Sequence, residues 1–180
     1  GGNAGPYDNE TNKCRNNGLH VSRGHYIAPN QTLSGTQKAY YFDAGASHWN
    51  KGKGGPSLSF FHHVWNRQGL PFNAIYAFEA RTSNDTFYES IPNQYRSMVH
   101  YQQGYVRSSP GGEGGPFLPH EIQKLTQKDD YVLFKLDIDS PGVEEGNIDS
   151  GSKVSFHFRI KQFDTQRGFR KYFWKAVISQ

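Results

Sequence analysis

Three apolar runs of the chain each end on an acidic residue. This pattern is the clearest indication of a functional site in the sequence. The runs are Ala39–Asp43, Phe72–Glu79 and Tyr131–Asp137. An unbroken apolar run is typical of a parallel strand that is buried on both faces of its sheet. Because parallel strands point their carboxyl ends to one edge, we expect the three carboxylates to lie together at that edge. Open α/β sheets bind their ligands there.

The first run is followed by small residues. Its end reads Asp-Ala-Gly-Ala-Ser, so Asp43 is followed by Ala44 and then by Gly45, Ala46 and Ser47. Small side chains after a strand let a ligand approach the backbone. In nucleotide-binding sheets the acid at the end of the second strand, here Glu79, accepts hydrogen bonds from ribose hydroxyls. The pattern predicts a nucleotide-type site at Asp43, Gly45, Ala46, Ser47 and Glu79.

The segments between the runs predict the elements that position these acids. Helical spacing of apolar residues predicts a helix over Ser57–Arg67 and another over Pro119–Gln127. A short helix over Asp85–Ile91, a short strand over Met98–Tyr101 and an exposed glycine-rich loop over Gly104–Pro116 are expected between them. Alternating strands and helices predict an α/β, Rossmann-like fold with a mostly parallel sheet and helices on both faces.

Length and charge limit the functional classes. The chain has 180 residues, which suits one domain, and we expect an irregular N-terminal arm over 1–38 and a single α/β domain over 39–180. The net charge of +4 comes from scattered basic residues, so no nucleic-acid partner is expected. No apolar run approaches the ~20 residues of a membrane span.

Two features of the sequence bear on the cellular compartment. The chain opens with Gly-Gly rather than Met, and it carries acceptor triplets for N-glycosylation at Asn9, Asn30 and Asn84. These features favour a processed N-terminus and an organelle or the secretory pathway.

Three motifs together resemble class I, S-adenosylmethionine-dependent methyltransferases. They are Phe42–Ser47, Ile75–Glu79 and Val132–Asp139. More narrowly, they resemble the FkbM-type methyltransferase-like proteins of plants and algae, whose fourth-strand motif has a Lys-x-Asp-x-Asp-x-Pro form. This chain matches that form with Lys135, Asp137, Asp139 and Pro141. The resemblance covers about residues 12–146.

The resemblance implies a cofactor and residues that bind it. S-adenosylmethionine would place its methionine part against Gly45, Ala46 and Ser47. Asp43 would hold the amino group of the cofactor, directly or through water, and Glu79 would hold the ribose. The resemblance implies no metal ion.

The resemblance also implies candidates for catalysis. Asp137 would flank the transferring methyl group or the substrate. Methyl transfer needs mainly positioning and a base for the acceptor hydroxyl, and Asp139 or His48 would be that base. The implied reaction is O-methyl transfer to a small molecule or a glycan.

The chain departs from the family after Asn147. Ser152–Ile160 alternates as a strand does, and Phe169–Trp174 resembles the closing segment of the family. Between them and the fourth strand, Gly142–Gly151 barely reaches the ~10–12 residues of a parallel crossover. We therefore expect a trimmed C-terminal part.

Two other functions remain open at this point. A methyltransferase-like chain without activity would serve as a docking subunit of an assembly, with the basic and aromatic segment Arg167–Lys175 against an acidic partner. Alternatively, Asp137-Ile-Asp139 is the Asp-x-Asp pattern with which many glycosyltransferases hold a divalent cation and a sugar nucleotide.

Overall fold

A computed structural model gives the fold of most of the predicted α/β domain. It describes residues 7–8, 13–14, 35–51, 56–136, 138, 140–148, 155–156, 163–164 and 170–179. The first two of these ranges are the short strands β1 (Tyr7–Asp8) and β2 (Lys13–Cys14), which pair antiparallel within the predicted N-terminal arm.

The three apolar runs form adjacent parallel strands, as predicted. They are β3 (Ala39–Ala44), β4 (Ala74–Glu79) and, later in the chain, the strand Tyr131–Leu136. β3 is central and pairs in parallel with both of the others. The predicted short strand is β5 (Val99–Gln103), which pairs in parallel with β4 at the edge. With Tyr131–Leu136 numbered β6, the parallel strands lie in the order β5-β4-β3-β6.

Helices follow the strands close to where the sequence places them. α1 covers Ser57–Arg67, with the predicted bounds, and α2 covers Asn84–Glu89, where the side chain of Ser83 accepts a hydrogen bond from the Thr86 amide as an N-cap. α3 covers Leu118–Leu125, α4 covers Pro141–Ile148, and a 3-10 helix covers Asn93–Met98. No helix in the described ranges has the length and apolar character that crossing a membrane requires.

Both faces of the sheet are covered by helices, which confirms the Rossmann-like α/β prediction. Alternate residues of a strand point to opposite faces, so β3, β4 and β6 each contribute to two apolar clusters. On one face, Tyr41, Ile75 and Leu133 pack with Phe61 and Trp65 of α1. On the other face, the cluster contains Phe42, Val132, Phe134, Leu118 and Ile122, the last two from α3.

The C-terminal strands extend the sheet in the antiparallel direction. After β7 (Ser155–Phe156) and β8 (Phe163–Asp164), the strand β9 (Arg170–Ser179) pairs antiparallel with β6, and both short strands pair antiparallel with β9. An antiparallel neighbour needs no crossover over the face of the sheet. β9 therefore joins the sheet without the parallel crossover that a fifth parallel strand would need.

The glycine-rich loop between β5 and α3 is mostly exposed, as expected, but it is closely packed at two points. A Cβ atom on Gly115 would collide with the carbonyl oxygen of Tyr105 across the loop, and one on Gly146 of α4 would collide with that of Ser108. The side chain of Asn147 also donates to the carbonyl oxygen of Arg107 at 2.8 Å. The glycines here permit close backbone contact between the loop and α4.

Candidate functional site

The order of the parallel strands creates a topological switch point beside β3. The chain proceeds from β3 to β4 and β5 on one side and then returns to β6 on the other side. In open α/β sheets, ligands bind at such a point, outside the carboxyl ends of the strands. Asp43 of β3 and Lys135 of β6 are paired in register close to this edge. Gly45 is the first residue after β3.

The turn after β3 has an unusual backbone. Gly45 has a φ of +86° and Ser47 a φ of +37°, and Ser47 is the only non-glycine residue with positive φ within the described ranges. The amides of Gly45 and Ala46 donate to the carbonyl oxygen of Phe78 at 2.8 and 3.3 Å, so the turn bends toward the end of β4. Backbone strain of this kind clusters at functional sites.

The carboxylate of Asp43 lies inside the protein and contacts three side-chain donors. Oδ2 accepts hydrogen bonds from the Tyr41 hydroxyl at 2.7 Å and the Ser57 hydroxyl at 2.5 Å, and Oδ1 accepts one from Lys135 Nζ at 2.8 Å. The side chain has no solvent exposure. A direct bond from Asp43 to a ligand, which the resemblance suggests, would have to displace one of these donors.

Glu79 is more accessible at the end of β4. It is partly exposed, and its Oε1 accepts a hydrogen bond from the Arg81 amide at 2.8 Å. Its Oε2 has no hydrogen-bond partner among the described residues. One carboxylate oxygen of Glu79 can therefore accept a ligand hydroxyl without breaking a protein contact.

Tyr101 supports the backbone around Glu79. Its hydroxyl donates to the carbonyl oxygens of Glu79 at 3.1 Å and Thr82 at 2.5 Å. Burial of the phenol, and to a smaller extent the negative charge of Glu79, raises the pKa of Tyr101 to about 12. The hydroxyl therefore stays protonated at neutral pH and remains a donor that fixes the turn after β4.

Of the candidate catalytic residues, only His48 lies within the part of the chain that the structure describes. Asp137 and Asp139 lie outside the described residues, so their roles stay predictions. His48 is partly exposed in the loop between β3 and α1, close to Ser47, whose hydroxyl donates to the Lys51 carbonyl at 3.3 Å.

Sequence reasoning assigned no role to the partners of Asp43, which are Tyr41, Ser57 and Lys135. A signal for Lys135 was present, because it stands inside the apolar run Tyr-Val-Leu-Phe-Lys-Leu. A lysine in a buried strand requires a carboxylate partner nearby. Asp43, in the neighbouring strand, is that partner.

The arrangement as a whole brings Asp43, Gly45, Ala46, Ser47 and Glu79 to the ends of two adjacent strands. Within the part of the chain that the structure describes, no group of three or more His, Cys, Asp or Glu side chains is placed to hold a metal ion. Comparison of the chain with models of known protein families, with curated proteins and with solved structures finds no match in any of the three.

Proposed function

We propose that this chain is an S-adenosylmethionine-dependent methyltransferase-like domain that binds its cofactor at the carboxyl ends of β3 and β4. The observation that carries the proposal is the oxygen of Glu79 without a hydrogen-bond partner among the described residues, beside the turn at Gly45. An acid at this strand end is the group that accepts ribose hydroxyls in Rossmann-like sheets.

The two halves of the proposed site lie at the ends of two adjacent parallel strands. Gly45 donates to Phe78, the residue before Glu79, so the turn and the acid belong to one short stretch of the sheet edge. With the ribose at Glu79, the methionine part would extend along Gly45, Ala46 and Ser47.

The proposed reaction moves a methyl group from the sulfonium of the cofactor to an acceptor hydroxyl of a small molecule or a glycan. The hydroxyl oxygen forms the new bond to carbon, the carbon–sulfur bond breaks, and the hydroxyl proton passes to a base. Asp139 and His48 are the candidates for that base, and Asp137 would flank the methyl group or the substrate. The rest of the rate gain would come from alignment of the two reactants.

Isothermal titration calorimetry with S-adenosylmethionine and S-adenosylhomocysteine tests the proposal. We expect Glu79→Ala to weaken binding about ten- to a hundredfold, as loss of a charge-assisted hydrogen bond predicts. Asp129→Ala is the matched control, because Asp129 is an exposed acid next to the start of β6, at the opposite edge of the sheet. Equal affinity of the Glu79→Ala variant and the unmodified chain would contradict the assignment of the ribose site.

A second candidate function is a docking subunit that has kept the methyltransferase-like fold without the activity. The contacts of Asp43 favour it, because three protein side chains already occupy the carboxylate that would hold the cofactor's amino group. If this candidate is correct, the unmodified chain will show no binding at millimolar S-adenosylmethionine.

A further inference from the structure

Arg107 lies in the glycine-rich loop between β5 and α3 and has few partners for its side chain. Its Nη1 donates to the carbonyl oxygen of Gly112 at 3.1 Å, whereas its Nε is buried and has no hydrogen-bond partner among the described residues. No carboxylate of the described residues forms an ion pair with it. A buried donor without an acceptor costs free energy, so Arg107 lacks a partner that a folded protein normally supplies.

The missing acceptor belongs on one edge of the guanidinium group. Nε and Nη2 direct N–H groups to the same side of the plane, away from the Nη1 that donates to Gly112. The two oxygens of a carboxylate fit this edge and would accept from both nitrogens in a bidentate pair. Arg107 is partly exposed, so a ligand can reach the edge from solvent.

The backbone of Arg107 is held on both sides. Its amide donates to the carbonyl oxygen of Pro116 at 3.1 Å, across the loop, and its carbonyl oxygen accepts from the side chain of Asn147 at 2.8 Å. The preceding residue, Val106, is buried in the apolar cluster that contains α3. A backbone that is already fixed loses less conformational freedom when the side chain binds a ligand.

The loop places Arg107 at the same edge of the sheet as Glu79. The loop begins at Gly104, whose amide donates to the carbonyl oxygen of Glu79 at 3.0 Å. Val106 belongs to the cluster on the α3 face, whereas Ala46, beside which the methionine part of the cofactor would lie, belongs to the cluster on the α1 face. The segment with Arg107 therefore faces the second reactant rather than the carboxylate of the cofactor.

The charge of the loop favours a carboxylate over a phosphate. From Gly104 to Pro116, Arg107 is the only cationic residue and Glu113 the only acidic one. A phosphate dianion beside a single guanidinium would keep an uncompensated charge, whereas a carboxylate matches the charge of one arginine.

We propose that Arg107 binds a carboxylate of the methyl acceptor, so that the acceptor is an acidic hydroxyl compound such as a hydroxy acid or an acidic sugar. The role of this ligand as acceptor rests on the proposed methyltransferase function. The carboxylate site itself needs no cofactor, so the two can be tested separately.

Titration of the isotope-labelled chain with D-glucuronate, followed by NMR, tests the site without the cofactor. D-Glucose is the matched probe, because it has the same ring but no carboxylate. We expect the Nε–H resonance of Arg107 to shift with millimolar glucuronate and to stay in place with glucose. The Nε of Arg96 already donates to the carbonyl oxygen of Ile91 at 3.1 Å, so its resonance should not shift with either probe.

Three substitutions measure the contribution of the guanidinium group. Arg107→Gln removes the charge and the paired donors, and we expect it to bind glucuronate roughly tenfold more weakly or worse. Arg107→Lys keeps the charge without the paired donors and should have an intermediate affinity. Arg96→Gln is the matched control, because Arg96 precedes β5 and lies at the opposite edge of the sheet. It should bind glucuronate as the unmodified chain does.

The outcomes separate the two proposals. If the chain binds S-adenosylmethionine but glucuronate leaves the Arg107 resonance in place, the carboxylate site is overturned and the proposed function stands. If glucuronate binds through Arg107 and the chain binds no S-adenosylmethionine, the carboxylate site stands and the proposed function fails. If Arg107→Gln does not fold, the Nε–H resonance of the unmodified chain decides.

Two results would assign the carboxylate differently and overturn the acceptor. An equal shift with acetate at the same concentration would show a contact with any small anion. Weaker binding of S-adenosylhomocysteine to Arg107→Gln, with glucuronate binding unchanged, would place the carboxylate of the cofactor at Arg107 instead.

Discussion

Two adjacent histidines of α1 have very different environments. His62 is 6% exposed, and its ring lies against the rings of Trp49 and Tyr95 at centroid distances of 5.4 and 4.4 Å. His63, the next residue, is exposed. Burial, with a smaller contribution from the charge of His63, lowers the pKa of His62 to about 4. His62 is therefore neutral in the folded protein at physiological pH.

The low pKa of His62 predicts loss of stability in acid. The unfolded chain takes up the proton near pH 6.5, whereas the folded chain takes it up near pH 4, so stability falls as the pH decreases through this window. Between pH 7.5 and 4.5 we expect His62 to lower the free energy of unfolding by up to about 2.5 kcal/mol. Urea unfolding of the unmodified chain and of His62→Leu at both pH values measures the difference.

His63→Gln serves as the control for the neighbouring position. It should keep most of the pH dependence of the unmodified chain, because the exposed ring contributes little to the difference between folded and unfolded states. An equally steep loss of stability in His62→Leu would show that other groups cause it.

For individual residues, the sequence predicted which acids lie at strand ends better than it predicted the side-chain contacts that those acids make. The acids Asp43 and Glu79 lie at strand ends, as their apolar runs predict, yet their surroundings differ. Asp43 is enclosed because Ser57 and Lys135 approach it from α1 and β6, and such contacts join residues far apart in the sequence. Glu79 lies near the sheet edge and remains partly exposed. Lys135 within its apolar run indicates a buried acidic partner, but no local pattern shows that Asp43 rather than Glu79 is that partner.

At the scale of elements, the edge strand β5 is protected by a tyrosine of α2. The hydroxyl of Tyr88 donates to the carbonyl oxygen of Val99 and accepts a hydrogen bond from the amide of Tyr101, both at 3.2 Å. These two backbone groups belong to the edge strand of the parallel sheet. An edge with unpaired backbone groups can pair with another chain, so covering them opposes association.

Tyr88→Phe should therefore expose the edge of β5. It leaves two backbone groups without their partner, and we expect a loss of about 1 kcal/mol in the free energy of unfolding. We also expect self-association that increases with concentration, measured by sedimentation velocity. Tyr105→Phe is the control, because Tyr105 is 72% exposed. A Tyr88→Phe variant as stable as the unmodified chain and equally monodisperse would refute the protective role.

The sequence predicted most elements of the parallel sheet because each has a strong local pattern. The bounds of α1 agree fully, β3 extends one residue beyond its predicted end, and β6 follows the prediction from Tyr131 through Leu136. The direction of β9 was not predictable, because alternation of apolar residues does not specify the partner strand or its orientation. The contact between Gly146 and Ser108 could not be predicted either, because a glycine in a helical segment does not indicate which residue packs against it.

At the scale of the whole molecule, tyrosines connect the sheet to the elements around it. Tyr131 begins β6 and packs in the cluster that contains α1, and burial raises its pKa well above the ordinary value. Tyr101 in β5 has its pKa raised to about 12. Both hydroxyls are held protonated by the folded structure.

These raised pKa values predict the alkaline limit of stability. The unfolded chain loses its tyrosine protons near pH 10, before the folded chain does, so stability falls as the pH rises above 10. In a titration of tyrosinate absorbance we expect two phases. Exposed tyrosines ionise first, and the buried ones ionise only as the circular dichroism of the folded state is lost.

Tyr131→Phe isolates the contribution of one buried hydroxyl among the eleven tyrosines. The phenyl ring keeps the packing of the apolar cluster but has no proton to lose, so the midpoint of alkaline unfolding should move to higher pH. Tyr105→Phe, at an exposed position, should reduce the amplitude of the first phase and leave that midpoint unchanged. The explanation fails if Tyr131→Phe unfolds at the same alkaline pH as the unmodified chain, or if all tyrosines ionise in one phase while the fold persists. In either case the buried tyrosines would not be coupled to the stability of the sheet.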